Sequence, residues 1–570
     1  MLQQLAELSI IYPECKPETL EHYLTGISQT TLMRIVTHLI GKDLFRETES
    51  THDTISNWFQ VGNEQFAQDL VDRIAKYELD NNRKLKIVNP ISCLQILQKG
   101  LQLAATEKID TKSQLDSEQN LMIAMLMLNG NLDYNQTKDT VKIKELFPGD
   151  TYLSALLLNH QFPTFDLVNF HFETYTACQV IKSLILFRFL ESTAEGKALL
   201  QRFCEHYSVA NWKEYYERFV PVIMAWSERK NASSVDIILE RNSDLDRNES
   251  FLTKFALTDY SQEVDQDYKE LRGKPLIPLS ETEYRIIHPL FISDKLYKGL
   301  YFLFNELNKK DGKIIFSEFR SWYTTNFSEA ACFTWLLEYS FPASKILKFD
   351  RDFGIDGAPD AYLRLGNDIF LFESKDVLLN ASIKQSYDFQ KLINELKVKF
   401  LVKSSRAVGI GQLINNIRRT LTLAHPVDQE YHSKEVKIYP ILVTHDRMFD
   451  TPGLNEVLNF YYLRELSKLK EEGLDTANVA PLIVINVDAL IEIAPLLRAG
   501  KVTLKELITE YFMNYNIPPL SYFPNIAAYE KAMMESKISF LDFIYGYLSW
   551  KLGDKWRSEE LIHQLLTQGN

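Results

Sequence analysis

Along the first 260 residues apolar positions recur three and four apart, the period that buries one stripe of a helix. PETLEHYL (17–24), TTLMRIVTHLI (30–40) and NEQFAQDLVDRIAKY (63–77) carry it, and it returns in YLSALLLNH (152–160) and VIKSLILFRFLE (180–191). Between them NGNLDYNQTKDT (129–140) is polar and turn-rich and predicts a break. The charged end of SVDIILERNSDLDRNES (234–250) predicts a linker nearby, and KPLIPLSETEYRIIHPLFI (274–292) predicts a few strands or an extended connector.

Near residue 320 the pattern changes. SEAACFTWLLEYSF (328–341) is helical; KILKFDRD (345–352), AYLRL (361–365) and IFLFESK (369–375) are strand-like. VKIYPILVT (436–444) and PLIVINV (481–487) are further strands, separated by the helical LNEVLNFYYLRELSKL (454–469). Strands with intervening helices predict a layered α/β domain. The expected organisation is helical domains at 1–130 and 131–260, a mixed connector at 261–320, an α/β domain at 321–515 and a helical segment at 516–570. The helical half contains no catalytic constellation and reads as a scaffold or partner-binding region.

Composition narrows the function. The chain has 570 residues and a formal net charge of −13, so contact with a polyanion requires a local basic patch. Its five cysteines are scattered, with no CxxC pair, which argues against a disulfide framework and a zinc ribbon. With no cationic start followed by an apolar run, and no apolar stretch near the roughly 20 residues of a bilayer span, a cytoplasmic location is expected. No Walker motif and no HExxH occur. His445, in Thr444-His445-Asp446 at a strand end, has no serine or cysteine partner apparent in sequence.

The informative stretch is GIDGAPDAYLRLGNDIFLFESKD (354–376). Gly366-Asn367 between two apolar runs predicts a two-residue hairpin loop, since both residues tolerate positive φ. If Leu365 then pairs with Asp368, Asp360 falls opposite Glu373. Directly opposed Cβ atoms lie about 4.5–5.5 Å apart. Lys375, two residues beyond Glu373, points to the same face. Two carboxylates this close repel unless a proton or cation lies with them. The alternative is a charged hairpin end facing solvent. The Glu-x-Lys tripeptide alone is uninformative, since Glu535-Ser536-Lys537 repeats it in a helical stretch.

Pro359-Asp360, the hairpin and Glu373-Ser374-Lys375 resemble the PD-(D/E)xK nuclease superfamily, whose fold is restriction-endonuclease-like: a mixed central sheet flanked by helices. The resemblance covers about residues 320–515. It implies a metal-dependent nuclease acting on DNA, with Mg²⁺ or Mn²⁺ on Asp360, Glu373 and the Ser374 carbonyl, and Lys375 orienting or activating the attacking water. It further implies an acidic helix residue, for which Glu329 is preferred to Glu338, and a glutamine on the following helix, Gln412. By analogy the setting would be prokaryotic anti-phage defence or genome maintenance, with a protein partner or trigger engaging the helical N-terminal region. The rival expectation is a non-catalytic nucleic-acid- or protein-binding module that keeps the nuclease fold.

Residues 381–420 carry eight cationic side chains against Asp388 and Glu395 and so reverse the chain's overall sign. Lys384, Lys391, Lys403, Arg406, Arg418 and Arg419 are the expected nucleic-acid contacts. An ordinary basic helix face is the alternative.

Overall fold

Strand-forming residues of the carboxyl half pair into one mixed five-stranded sheet: β1 (Ile346–Phe349), β2 (Ala361–Leu365), β3 (Asp368–Lys375), β4 (Lys437–Thr444) and β5 (Ile483–Asn486), in the order β5-β4-β3-β2-β1. The computed structural model describes residues 4–553 apart from 46–50, 60, 104–108, 229–233, 259, 261–266, 343–345, 515–516 and 519. Lys345 of the expected first strand, and the expected helical segment beyond 553, lie outside the described residues.

The Gly366-Asn367 loop closes the β2–β3 hairpin with Gly366 at φ 64, and Leu365 pairs with Asp368. β3 pairs antiparallel with β2 on one side and parallel with β4 on the other, the latter over eight residue pairs from Lys437↔Asp368 to Thr444↔Lys375. β4 also runs parallel to β5. The carboxyl ends of β3, β4 and β5 therefore share one edge.

Alternation along the strands feeds two cores. Phe370, Phe372, Tyr439, Ile441 and Ile483 join a cluster with α1 (Phe172–Glu191), and Ile369, Leu371, Ile438 and Leu442 join another with α2 (Phe389–Phe400) and α3 (Ile410–Leu421). α4 (Leu454–Glu471) completes the second layer, and α5 (Val487–Arg498) the first. The packing runs through residues 130, 260, 320 and 515: Phe147 and Phe162 sit on one face of the sheet, Phe187 and Phe540 with the other. A third core gathers the buried apolar side chains of the first 130 residues, such as Leu32, Leu94 and Met122, together with Leu271, Ile287 and Phe291.

Two sequence expectations change. The expected break at 129–140 lies largely within a helix, Gln114–Thr137. Its first residue is spent inside: Asn129 Nδ2 donates to the Ala6 and Ile87 carbonyls (2.9 and 2.8 Å), and Ser92 Oγ donates to Asn129 Oδ1 (2.7 Å). Buried amides satisfied in this way cost the helix little. The linker expected near 234–250 instead contributes Asp236–Ile238 to a three-stranded sheet with Leu276–Pro278 and Glu283–Ile286, and its charged end forms the helix Leu245–Thr253. No helix among the described residues is long and apolar enough to cross a membrane.

Candidate active site

The hairpin delivers its two carboxylates to one lysine. Asp360 lies one residue before β2, in continuation of the observed register opposite Glu373, and its Oδ2 accepts the Ser374 N–H at 2.6 Å. Lys375 Nζ lies 2.5 Å from Glu373 Oε1 and 3.8 Å from Asp360 Oδ2. Glu373 is fully buried, and its second oxygen has no hydrogen-bond partner among the described residues. A fully buried carboxylate oxygen without a donor is costly unless a proton or cation meets it.

Glu329 comes from a helix of wide, π-type turns, Tyr323–Phe333, that runs on into Thr334–Ser340. Such turns are rare and concentrate at functional sites. Glu329 is half-buried. Burial, then the nearby Asp360, push its carboxyl up to about 7, against the opposing pull of Lys375. Burial and Asp360 likewise raise Glu373 well above the carboxylate range. Asp360 is raised by burial, against Lys375 and the Ser374 N–H. Burial lowers the Lys375 ammonium, but Glu373 and Asp360 more than offset it and leave it raised. Asp350, at the start of the short helix after β1, also raises Asp360 and Glu329. Sequence reasoning missed this fourth carboxylate. Its position inside the expected strand KILKFDRD, upstream of Asp360, was the available signal.

Glu338 is exposed and lies 3.5 Å from Arg351, so it belongs to the surface. Gln412 caps its own helix, its Oε1 accepting the Gly409 N–H at 3.0 Å. That helix, α3, packs on β3 and β4.

The basic segment divides. Lys384 is buried and sits 3.0 Å from Asp166 and 2.8 Å from Asp267, so the expectation that it touches a nucleic acid is corrected: its charge is consumed inside the fold. Arg418 pairs with Glu472 at 2.7 Å, and Arg419 donates to the carbonyls of Gly357 and Asp356, so both brace the fold. Lys391, Lys403 and Arg406 remain exposed.

Ser374 also acts through its side chain. On the strand face opposite Glu373 its Oγ lies 2.8 Å from His445 Nε2. The two residues are 71 positions apart and meet because β3 and β4 are parallel and in step. Ser374 is therefore the serine beside His445 that was not apparent in the sequence.

Among the described residues no three His, Cys, Asp or Glu side chains form a ready-made metal cage. The donor set still suits Mg²⁺ or Mn²⁺. Mg²⁺ is commonly held by one or two carboxylates with waters in its other positions, and Glu373 Oε2 is a buried oxygen awaiting a partner. Comparison with protein-family models, with curated proteins and with solved structures returned no match.

Proposed function

We propose that this chain is a metal-dependent nuclease that hydrolyses phosphodiester bonds in DNA, with Asp360 and Glu373 holding Mg²⁺ or Mn²⁺ and Lys375 beside them. The observation that carries this reading is the carboxylate excess at the end of the hairpin: Asp360, Glu373 and Glu329 gather around one lysine, and all three have carboxyls pushed up. A divalent cation bound there would neutralise phosphate charge and acidify a water. Lys375 stabilises negative charge developing on the phosphate. Glu329, titrating near 7, gives or takes a proton at neutral pH. Ser374 N–H fixes the Asp360 carboxylate.

The resemblance to restriction-endonuclease-like folds supports the same reading through its order of elements: helix, strand, hairpin, helix, strand. Lys391, Lys403 and Arg406 form the exposed basic face for the DNA backbone. Anti-phage defence or genome maintenance is the setting proposed by analogy, with the helical N-terminal region as the partner surface.

The test is incubation of the full chain with supercoiled plasmid, linear duplex and single-stranded DNA in Mg²⁺, Mn²⁺ or EDTA. Cleavage is expected with either metal, none in EDTA, and a loss of about 10²–10³-fold in Lys375→Ala. Equal cutting by wild type and Lys375→Ala would overturn the assignment.

A further inference from the structure

The same sheet edge carries a second polar site, on the other side of β3 from Glu373 and Lys375. A cavity of about 60 Å³ opens there. It lies where parallel strands end, the usual location of ligands in open α/β sheets. Each of three strands sends one carboxylate to it just past its last residue: Asp376 after β3, Asp446 after β4 and Asp488 after β5. Each carboxylate meets a cation from outside the sheet. Arg320 lies 2.8 Å from Asp376, Lys298 3.3 Å from Asp446, and Lys182 of α1 2.6 Å from Asp488.

Lys298 is shared with Asp166 at 3.8 Å, and a fourth cation lies on the same wall. Arg447 lines the cavity; among the described residues it forms no ion pair within 4 Å, and its charge acts on the buried carboxyls of Asp450 and Asp542. It is nine-tenths buried and stacks over Tyr175, with one N–H spent on the Asn169 carbonyl. Its Nε is buried with no hydrogen-bond partner among the described residues. His445, on the same wall, has a buried Nδ1 without a partner. If Ser374 Oγ–H donates to Nε2, the remaining proton sits on Nδ1 and becomes a second unspent donor.

Water fills polar cavities of this kind, and one water needs about 10–15 Å³ by this measure. The space therefore holds several waters, or one small polyatomic anion. Two donors, Arg447 Nε and His445 Nδ1, stay unspent on this wall, while the buried Asp488 Oδ1 faces Lys182. Donors and cations of this type recognise phosphate oxygens.

We propose that this cavity binds a small phosphate-bearing ligand, with Arg447 Nε and His445 Nδ1 as donors and Lys298 and Arg320 as flanking cations. The proposal stands whether or not the carboxylate site is catalytic.

The experiment is titration calorimetry of the full chain in EDTA with orthophosphate, pyrophosphate and AMP, and with citrate as a carboxylate control. Saturable one-site binding of a phosphate compound is expected, weakened at least tenfold in Arg447→Gln and in Lys298→Met and unchanged within about twofold in Lys375→Ala. Tight orthophosphate binding would identify the free anion as the ligand; binding of AMP alone would identify an ester. If no phosphate compound binds the wild type, if citrate binds as well as phosphate, or if only Lys375→Ala abolishes binding, the proposal is overturned. Should the cavity variants not fold, hydrogen exchange of the wild type with and without AMP decides. Protection confined to 297–302 and 445–447 supports the proposal, and protection absent there overturns it.

Discussion

Two of the buried charge clusters among the described residues differ in balance. Around Asp166, the carboxylates of Asp166, Asp267 and Asp294 face Arg272, Lys384 and Lys298 at 2.8–3.8 Å. Burial works against the charge of Asp166, but Lys384, Arg272 and Lys298 outweigh it and hold its carboxyl well below the ordinary range. At the hairpin end, Glu373, Asp360 and Glu329 face Lys375, and every carboxyl is pushed up. Burial is common to both, so burial does not mark function. The two differ in the sign of the charge remainder: a balanced cluster is complete, and a cluster with excess carboxylate is relieved by protons or a cation.

The largest test removes one buried carboxylate from each cluster. Asp166→Asn leaves three cations crowded without their central partner and should cost about 3–5 kcal/mol of unfolding free energy. Glu373→Gln relieves repulsion, and should leave metal-free stability unchanged or raise it by about 1 kcal/mol. Urea denaturation at pH 7 in EDTA measures both. Equal destabilisation by the two would erase the distinction between the clusters.

The hairpin cluster was legible in sequence because it is local. Side chains on a strand repeat every two residues, and a Gly-Asn loop fixes the register, so Asp360, Glu373 and Lys375 could be brought together on paper. The balanced cluster was not legible. Lys384 stands in a basic segment and reads as a surface charge, while its partner Asp166 lies 218 residues away. His445 was opaque for the same reason, since only the parallel pairing of β3 and β4 brings it to Ser374. The helix through 129–137 was hidden because Asn129 looks like a turn residue until Ala6 and Ile87 supply its acceptors.

The carboxylate excess also makes stability depend on pH in a defined direction. Glu329 titrates at about 7 in the fold, against an ordinary 4.5. Between those values the folded chain holds a proton that the unfolded chain has released. Stability attributable to this group therefore falls as pH rises from about 4.5 to 7. Relative to Glu329→Gln, the wild type should lose about 2 kcal/mol across that window, less than the full shift because the side chain is partly exposed. Parallel pH profiles for the two proteins would show that Glu329 is not part of the cluster.

A cation should reverse the same repulsion. Mg²⁺ or Mn²⁺ at ten times its dissociation constant should add about 1.4 kcal/mol to the wild type, read as a rise in melting temperature, and little to Glu373→Gln. The Asp166 cluster has no carboxylate to spare, so Asp166→Asn, measured where it remains folded, should keep the full metal response. A response of equal size in Glu373→Gln would place the cation elsewhere.

The smallest effect separates charge in the sequence from charge on the surface. Lys391, Lys403, Arg406 and Lys384 fall in one basic segment, but the first three are exposed and Lys384 is buried between Asp166 and Asp267. A lysine that neutralises a DNA phosphate contributes about one to the slope of log affinity against log salt, and losing it weakens binding about evenly across sequences. Replacing Lys391, Lys403 and Arg406 with glutamine should therefore lower that slope by about three in a fluorescence-anisotropy titration with EDTA. Lys384→Gln should reduce stability and leave the slope where it was, because a buried ammonium releases no counterion. If the slope falls with Lys384→Gln and not with the exposed triple variant, the DNA backbone runs along a different face, and the basic segment owes its charge to the interior ion pairs alone.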